Sequence, residues 1–521
     1  MTTSLRRTMG KAALIVSGGV LLSRLLGQLR EIIFAGMLGA DAVTDQYVAA
    51  FRIPDFLNYL LAGGFLSITF IPIFSRYLAD DDESGGWEAL SAIVRPIAAG
   101  ITLLVAIGWV VAPWVIRLIY PDFTPAQVAT TTHLTRVVLP AQVFFVVGAL
   151  FTAVQYARNV FTIPTLAPVI YNVAIIAGGV GYAAASGTAD PEGFAWGALV
   201  GAFLGNFVIQ WWGARRVGMR IRWLSGWRHP ALVQYLAIAL PLMIGQSIVV
   251  LDETFMSTFG DLVGDGAQSQ LQYARRTMFV PIGIIAQAAG VAAYPLLARL
   301  FAERRHRDMA DTVDVAMRWV LVLSLAATGL LAAMAVPVTR ALFQRGSFDA
   351  ADTQGSATAL FFYSFAIPIW GALQVLSRAF YARTQMWTPV VVGSAATVAA
   401  VPIYVALQRS LGLRGVAAAS VIVLGGYSAA LAAAWYREPQ HRGRAIDVAY
   451  TAGRAVPLVF AGGAVAFAIS EGVANVAGTG FVASSAAVLL GTAGFGVAAL
   501  GAGSALFTVF VRAPAPDRSS G

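Results

Sequence analysis

Residues 98–116 read AAGITLLVAIGWVVAPWVI, a run with no charged side chain. Roughly 20 such residues cross the hydrocarbon core of a bilayer as one helix. Residues 194–211 and 482–509 have the same character. Of the 521 residues, 58% are hydrophobic and 12% are charged, about half the charged share of a soluble domain. A soluble fold of this length could not hide so much apolar surface. A transmembrane barrel would alternate in segments of about ten residues, and no such alternation is present. The chain reads as an all-α polytopic membrane protein.

About fourteen spans fit this pattern, each near the length a bilayer requires. The net charge is +9, carried almost wholly by arginine, with Lys11 the only lysine. In a soluble protein such basicity would suggest nucleic acid. Here the arginines gather in short loops between spans, as cytoplasmic loops do. Arg6, Arg7 and Lys11 form one cluster; Arg215, Arg216, Arg220, Arg222 and Arg228 another; Arg304, Arg305 and Arg307 a third; Arg437, Arg442 and Arg444 a fourth. The alternate loops, at 39–45, 121–127, 186–193, 261–267 and 471–480, are short and poor in arginine. Arg345, and Arg409 with Arg414, are the exceptions. Both termini are therefore expected in the cytoplasm. The first apolar stretch carries Arg24, Arg30 and Glu31, so it reads as a span and not as a cleaved signal peptide.

Several chemistries are excluded. The chain has no cysteine, hence no disulfide framework and no thiolate metal site. It has no phosphate-binding G-x-x-x-x-G-K-[ST] loop, so ATP hydrolysis is not expected. The four histidines, His133, His229, His306 and His441, are scattered. The acidic run Asp80-Asp81-Asp82-Glu83 reads as a solvated turn. No nucleophile–base set stands out, and the chain is not expected to be an enzyme.

The sequence repeats itself at an offset of about 224 residues, the parallel duplication seen in some secondary transporters. Tyr156-Ala157-Arg158 with Pro164 recurs as Tyr381-Ala382-Arg383 with Pro389. Arg52, Pro72 and Arg76 recur as Arg276, Pro295 and Arg299, and Pro113 with Arg117 as Pro337 with Arg340. An even number of spans fits within one repeat, so the halves share one orientation. The expected organisation is an N-lobe over 1–222, a C-lobe over 223–440, and two further spans with a short tail over 441–521. In parallel repeats the substrate site lies between the halves.

Charged residues inside spans need an explanation. Arg24, Gln28 and Glu31 share one helix face by their spacing, and Arg30 lies about a third of a turn away. Arg52 follows Asp45 by seven residues, and Pro54 is placed to bend or break the helix. Arg275 and Arg276 are adjacent, with Pro281 close behind. Each mid-membrane arginine costs roughly 2.5–3.5 kcal/mol on insertion scales. Simple pairing with Glu31, Asp45 and Asp252 would leave positive charge over. A surplus of guanidinium groups points to an anionic substrate, and phosphate above all, because it accepts their hydrogen bonds two at a time. For Arg275, snorkelling from a helix end is the simpler reading. The tryptophan pairs Trp211-Trp212 and Trp223 with Trp227 read as interfacial anchors.

The run Ser23-Arg24-x-Leu26-Gly27-x-x-Arg30-Glu31, followed by Asp45, Ala50-Phe51-Arg52-Ile53-Pro54 and Phe70-Ile71-Pro72-Ile73-Phe74, resembles the MurJ (MviN) family. This is a branch of the multidrug/oligosaccharidyl-lipid/polysaccharide exporter superfamily. Tyr273-Ala274-x-Arg276 and Tyr381-Ala382-Arg383 continue the resemblance along the chain. It implies two pseudo-symmetric six-helix lobes plus two C-terminal helices in a bacterial cytoplasmic membrane. It implies a monomeric flippase for lipid II, the undecaprenyl-pyrophosphate-linked disaccharide peptide, with no nucleic-acid partner. It carries substrate binding onto Arg24, Arg30, Arg52 and Arg276, with Glu31 and Asp45 beside them. The polyprenyl tail would stay in lipid or follow a groove near the last two spans.

The sequence departs from the family at two positions. Residues 62–65 read Ala-Gly-Gly-Phe where the family often has Ala-Glu-Gly-Ala, and Arg275 stands where an acid often precedes the arginine. No metal site is expected. Asp252 matches the family's sodium-binding aspartate, but span 11 lacks the Asn and Asp that would complete the site. No cofactor is implied; coupling would come from the membrane potential or a monovalent cation. Competing readings are a flippase for another polyprenyl-pyrophosphate saccharide, a multidrug–cation antiporter, which would need acids where this chain has arginines, and a transport-dead scaffold.

Overall fold

A computed structural model describes residues 3–61, 65–158, 160–221, 229–383, 385–438 and 444–502. The expectations placed on residues 62–64, Trp223, Trp227, His441, Arg442, Arg222 and Arg228 lie outside them. Every regular element among the described residues is helical. The chain divides into two compact units, Met1–Asp261 and Leu262–Gly521.

The first unit comprises α1 (Thr3–Leu38), α2 (Ala42–Ala50), α3 (Arg52–Leu61), α4 (Phe65–Ala79), α5 (Glu83–Ile119), α6 (Pro125–Val138), α7 (Ala141–Ala157), α8 (Thr162–Ser186), α9 (Pro191–Gly201), α10 (Ile209–Arg216) and α11 (Pro230–Asp261). A π-helical stretch, Ala202–Val208, joins α9 to α10. The second unit comprises α12 (Ala267–Ala302), α13 (His306–Ala333), α14 (Ala335–Phe343), α15 (Ala350–Ser364), α16 (Ala366–Ala382), α17 (Trp387–Leu411), α18 (Leu413–Tyr436), α19 (Arg444–Ala477) and α20 (Phe481–Ala502). Among the described residues, nine helical stretches are long and apolar enough to cross a membrane, or ten if the bent pair α15–α16 is one span. The figure of fourteen remains a sequence count.

Helix α11 packs on α3, α4 and α5. The packing boundary therefore falls at Asp261, beyond the repeat boundary read near residue 222. The two divisions answer different questions: one marks duplicated sequence, the other marks what touches.

Local chemistry explains where the helices start and stop. Asp41 caps α2 by accepting from Val43 N and Thr44 N, both at 3.0 Å. Thr124 and Gln127 form a capping box at α6, with Pro125 at the first helical position, where its missing N–H leaves no bond unmade. Asp349 and Asp352 form the equivalent box at α15. Both following helices break midway. Pro140 has no N–H to continue α6 into α7. The break between α15 and α16 bends the path by 44°, and Thr328 Oγ1 donates to the freed Ser364 carbonyl at 2.8 Å.

The acidic run at 80–83 does more than turn the chain. Asp82 caps α5 by accepting from Gly85 N at 2.8 Å, and Glu83 pairs with Arg158.

Inside the first unit, Phe70, Phe74, Trp87, Leu90 and Phe151 share one apolar core. The π-helical stretch adds a residue to its turn and so frees carbonyls. Gln210 answers with its amide, donating to Gly205 O at 3.2 Å, while its own oxygen accepts from Thr152 Oγ1 at 3.1 Å and Gln155 Nε2 at 3.0 Å. Helix α7 passes so close to this stretch that a Cβ on Gly148 would stand 1.6 Å from Asn206 O. In the second unit, α19 lies against α13, where a Cβ on Gly329 would meet Val459 Cγ1 at 2.4 Å.

Candidate functional site

Helix α1 carries the first embedded charges. Arg30 Nη2 lies 2.6 Å from Glu31 Oε1, and Nε lies 3.0 Å from the same oxygen. Glu31 is buried and Arg30 half-buried. A guanidinium folded onto the neighbouring carboxylate is a charge-assisted contact of the strong kind. Arg24 behaves differently: it is exposed and makes no ion pair among the described residues. The expected shared face of Arg24 and Glu31 therefore separates a free-standing cation from a neutralised one. Asn172 of α8 steadies this helix, reaching Ser23 O at 3.5 Å while donating to Pro168 O at 2.8 Å.

Asp45 sits in the first turn of α2, buried to 2% exposure, where the helix dipole favours a carboxylate. The helix then stops at Phe51 and restarts at Arg52. Pro54 falls in the first turn of the new helix, a position that tolerates a missing N–H. The break expected at Pro54 is thus present just ahead of it.

The break aims Arg52 inward. Arg52 is only 5% exposed. Its Nε donates to Val48 O at 3.3 Å. Its Nη2 stands 3.5 Å from Asp55 Oδ2, and its Nη1 stands 3.6 Å from Glu253 Oε2 on α11. Neither carboxylate was singled out by sequence. Asp55 was within reach of the i,i+3 rule for helix pairs; Glu253 depends on how α11 packs and left no local signal.

In the second unit, Arg276 is half-buried on α12. Gln272, with its amide oxygen turned inward, accepts from Arg276 Nε at 3.2 Å and Nη2 at 3.3 Å. Arg275 overturns its sequence reading. It does not snorkel but is buried at 3% exposure, with its guanidinium 5.4 Å from the Phe279 ring, which itself packs on Trp370. A cation against an aromatic face is held electrostatically by the ring quadrupole.

Asp252 is half-buried beside Glu253. Among the described residues, no three His, Cys, Asp or Glu side chains gather as metal ligands. Trp211 and Trp212 are exposed, with Arg215 and Arg216 over their rings at 5.1 and 3.8 Å. That is the geometry of interfacial anchors.

The chain is similar to known proteins over most of its length. The family model described as "Lipid II flippase MurJ" matches residues 34–510. The lipid II flippase MurJ of Burkholderia cenocepacia is 30% identical over 388 residues, 73% of this chain and 74% of that one. The probable lipid II flippase MurJ of Vibrio cholerae is 26% identical over 422 residues, 79% of each chain. Among solved structures, a lipid II flippase MurJ in an inward closed conformation superposes with a TM-score of 0.76 at 19% identity, covering 96% of this chain and all of that one. An inward-facing multidrug-resistance MATE transporter superposes with a TM-score of 0.65 at 16% identity, covering 82% and 95%.

Proposed function

The chain belongs to the lipid II flippase MurJ family, and we propose that it moves lipid II from the cytoplasmic to the outer leaflet by alternating access. It is a multi-pass protein of the bacterial inner membrane and acts in peptidoglycan and cell-wall biogenesis. The family match over residues 34–510 carries this reading. The proposed orientation has both termini in the cytoplasm, and the working unit is a monomer with no nucleic-acid partner. Transport involves no covalent step; the membrane potential or a monovalent-cation gradient supplies the drive.

The pyrophosphate is met by Arg24, Arg30, Arg52 and Arg276, with Glu31 and Asp45 setting their charge balance. Arg24 stands exposed without a counter-ion among the described residues. Arg52 faces two carboxylates at 3.5 and 3.6 Å, longer than the roughly 2.7–2.9 Å of a charge-assisted bond. A phosphate oxygen at the shorter distance is therefore the stronger partner. Releasing the headgroup then needs only a return to the looser internal pairs.

The test is complementation in cells depleted of their own lipid II flippase. The wild-type chain is expected to restore growth, and Arg24→Ala and Arg276→Ala are expected to fail at equal membrane levels. Full rescue by both variants would sink the arginine assignment. Failure of the wild-type chain, inserted and folded, would shift the substrate to another polyprenyl-linked saccharide.

A further inference from the structure

The first unit has a hollow of about 610 Å³ where α5 ends and α6 and α9 begin. Trp109 and Arg117 of α5, His133 and Arg136 of α6, and Trp196 of α9 line it. Spacings of eight on α5 and of three on α6 keep each pair on one side of its helix. The second copy of the repeat has Thr358 and Phe361 where the first has His133 and Arg136, so the duplicated fold does not require this set.

Internal contacts hold these side chains in place. Trp196 Nε1 donates to Glu192 Oε1 at 3.2 Å, and His133 Nε2 stands 3.2 Å from the same oxygen. The indole is fixed by its edge while 47% of the residue stays exposed. Arg136 lies 4.3 Å from the Trp109 ring, and its Nε donates to Trp109 O at 3.0 Å. Neither Arg136 nor the exposed Arg117 makes an ion pair among the described residues. The hollow therefore presents two indoles, two guanidinium groups and one carboxylate.

We propose that it binds a carboxylated saccharide at the outer face of the membrane. A sugar ring has an apolar C–H face and hydroxyls that both donate and accept. Indole surface meets the first, being apolar on its face and polar at its edge; the guanidinium groups and Glu192 meet the second. Two arginines are more than hydroxyls need, and a carboxylate on the sugar takes them in paired hydrogen bonds. A bare phosphate would gain the arginines but would face Glu192 and leave the indoles unused. The volume falls within the about 300–1,000 Å³ of small-molecule sites. The inference deepens the function proposed above and rests on its topology, in which the loops at 121–127 and 186–193 lie outside. The delivered headgroup, a disaccharide carrying a peptide with its carboxylates, is the saccharide at hand there. The hollow gives it a place to rest after it leaves the arginines assigned to the pyrophosphate.

Isothermal titration calorimetry of the full-length chain in phosphatidylcholine nanodiscs tests this. The probe is N-acetylglucosaminyl-N-acetylmuramyl dipeptide, and N,N′-diacetylchitobiose is the carboxylate-free control. One probe per chain is expected, held about tenfold more tightly than the control. Arg117→Gln combined with Arg136→Gln is expected to erase that difference, and Trp196→Ala to weaken both sugars about tenfold. The probe has no pyrophosphate, so Arg52→Ala is expected to leave its affinity unchanged. In the wild-type chain, no binding of the probe, or equal binding of probe and control, overturns the proposal without recourse to any variant. So does loss of the probe in an Arg52→Ala chain that keeps its melting temperature, or displacement of the probe when phosphatidylglycerol is added to the nanodisc. Failure of the wild-type chain to rescue flippase-depleted cells while it still binds the probe would remove the flippase reading and leave the saccharide site standing.

Discussion

Helix pairs α6–α7 and α15–α16 are one device built twice. Each starts on a capping box, breaks midway, and ends on an arginine, Arg158 or Arg383, at the helix C-cap. The two arginines keep matching company. Arg158 lies 5.6 Å from the Trp87 ring and pairs with Glu83; Arg383 lies 5.2 Å from the Trp435 ring and pairs with Glu438 at 2.9 Å. Between these fixed points the surfaces part. One carries His133 and Arg136; the other carries Thr358 and Phe361 at the corresponding positions. Groups that set the backbone were kept in both copies because losing a cap costs about 1 kcal/mol wherever it happens. Groups that face outward were free to take separate work.

The sharpest way to break this comparison is to remove the charge that only the first unit builds into a helix break. Arg52→Ala is expected to abolish growth rescue in flippase-depleted cells, and Arg52→Lys to restore it only in part, since lysine cannot span Asp55 and Glu253 with one planar fork. Normal growth with Arg52→Ala would mean that the embedded charge is idle. A smaller effect is expected at the two buried threonines that serve helix ends. Thr328→Val strands the Ser364 carbonyl, and Thr135→Val removes a 3.1 Å bond to Ala50 O. Each should lower stability by about 1–2 kcal/mol, read as a fall in melting temperature in detergent.

The capping boxes sharpen the comparison further. Thr124→Ala and Asp349→Ala should each cost about 1 kcal/mol and shift the melting temperature alike; a clear inequality would mean that the copies no longer rely on the same device. Arg136→Ala, which gives up an exposed contact with Trp109, is expected to cost about 0.5–1 kcal/mol. The least effect is expected at Glu303, in the loop after α12. The hydrogen bond from Arg299 holds its carboxyl below the usual range, yet the pair lies at the exposed surface. Glu303→Gln should leave the melting curve where it is, because exposed pairs contribute little.

Much of this was legible in the sequence because it is written in local terms. Uncharged runs give spans, loop arginines give a topology, and Pro54 announces the break that turns Arg52 inward. The duplicated motifs pointed to Arg158 and Arg383 before their shared geometry was visible. What stayed hidden depends on tertiary neighbours. Glu253 becomes a partner of Arg52 only because α11 packs on α3. Arg275 looks like a residue free to reach water, and only the packing of α12 against Trp370 shows that it is enclosed. The hollow between α13, α14, α15, α19 and α20 was invisible for a related reason: residues of seven helices line it, and no periodicity in any one of them marks a space between them.

Gly148 touches no charge and no proposed ligand. Yet a single added methyl would collide with the Asn206 carbonyl oxygen of the π-helical stretch, and backbone cannot step aside as a flexible side chain can. In a survey of every substitution scored by cell survival, this position should therefore stand out beside the arginines as one that accepts almost nothing. Such a map would mix two kinds of intolerance. Conservative exchange separates them: lysine keeps some of what an arginine does, whereas even alanine keeps nothing of what Gly148 does.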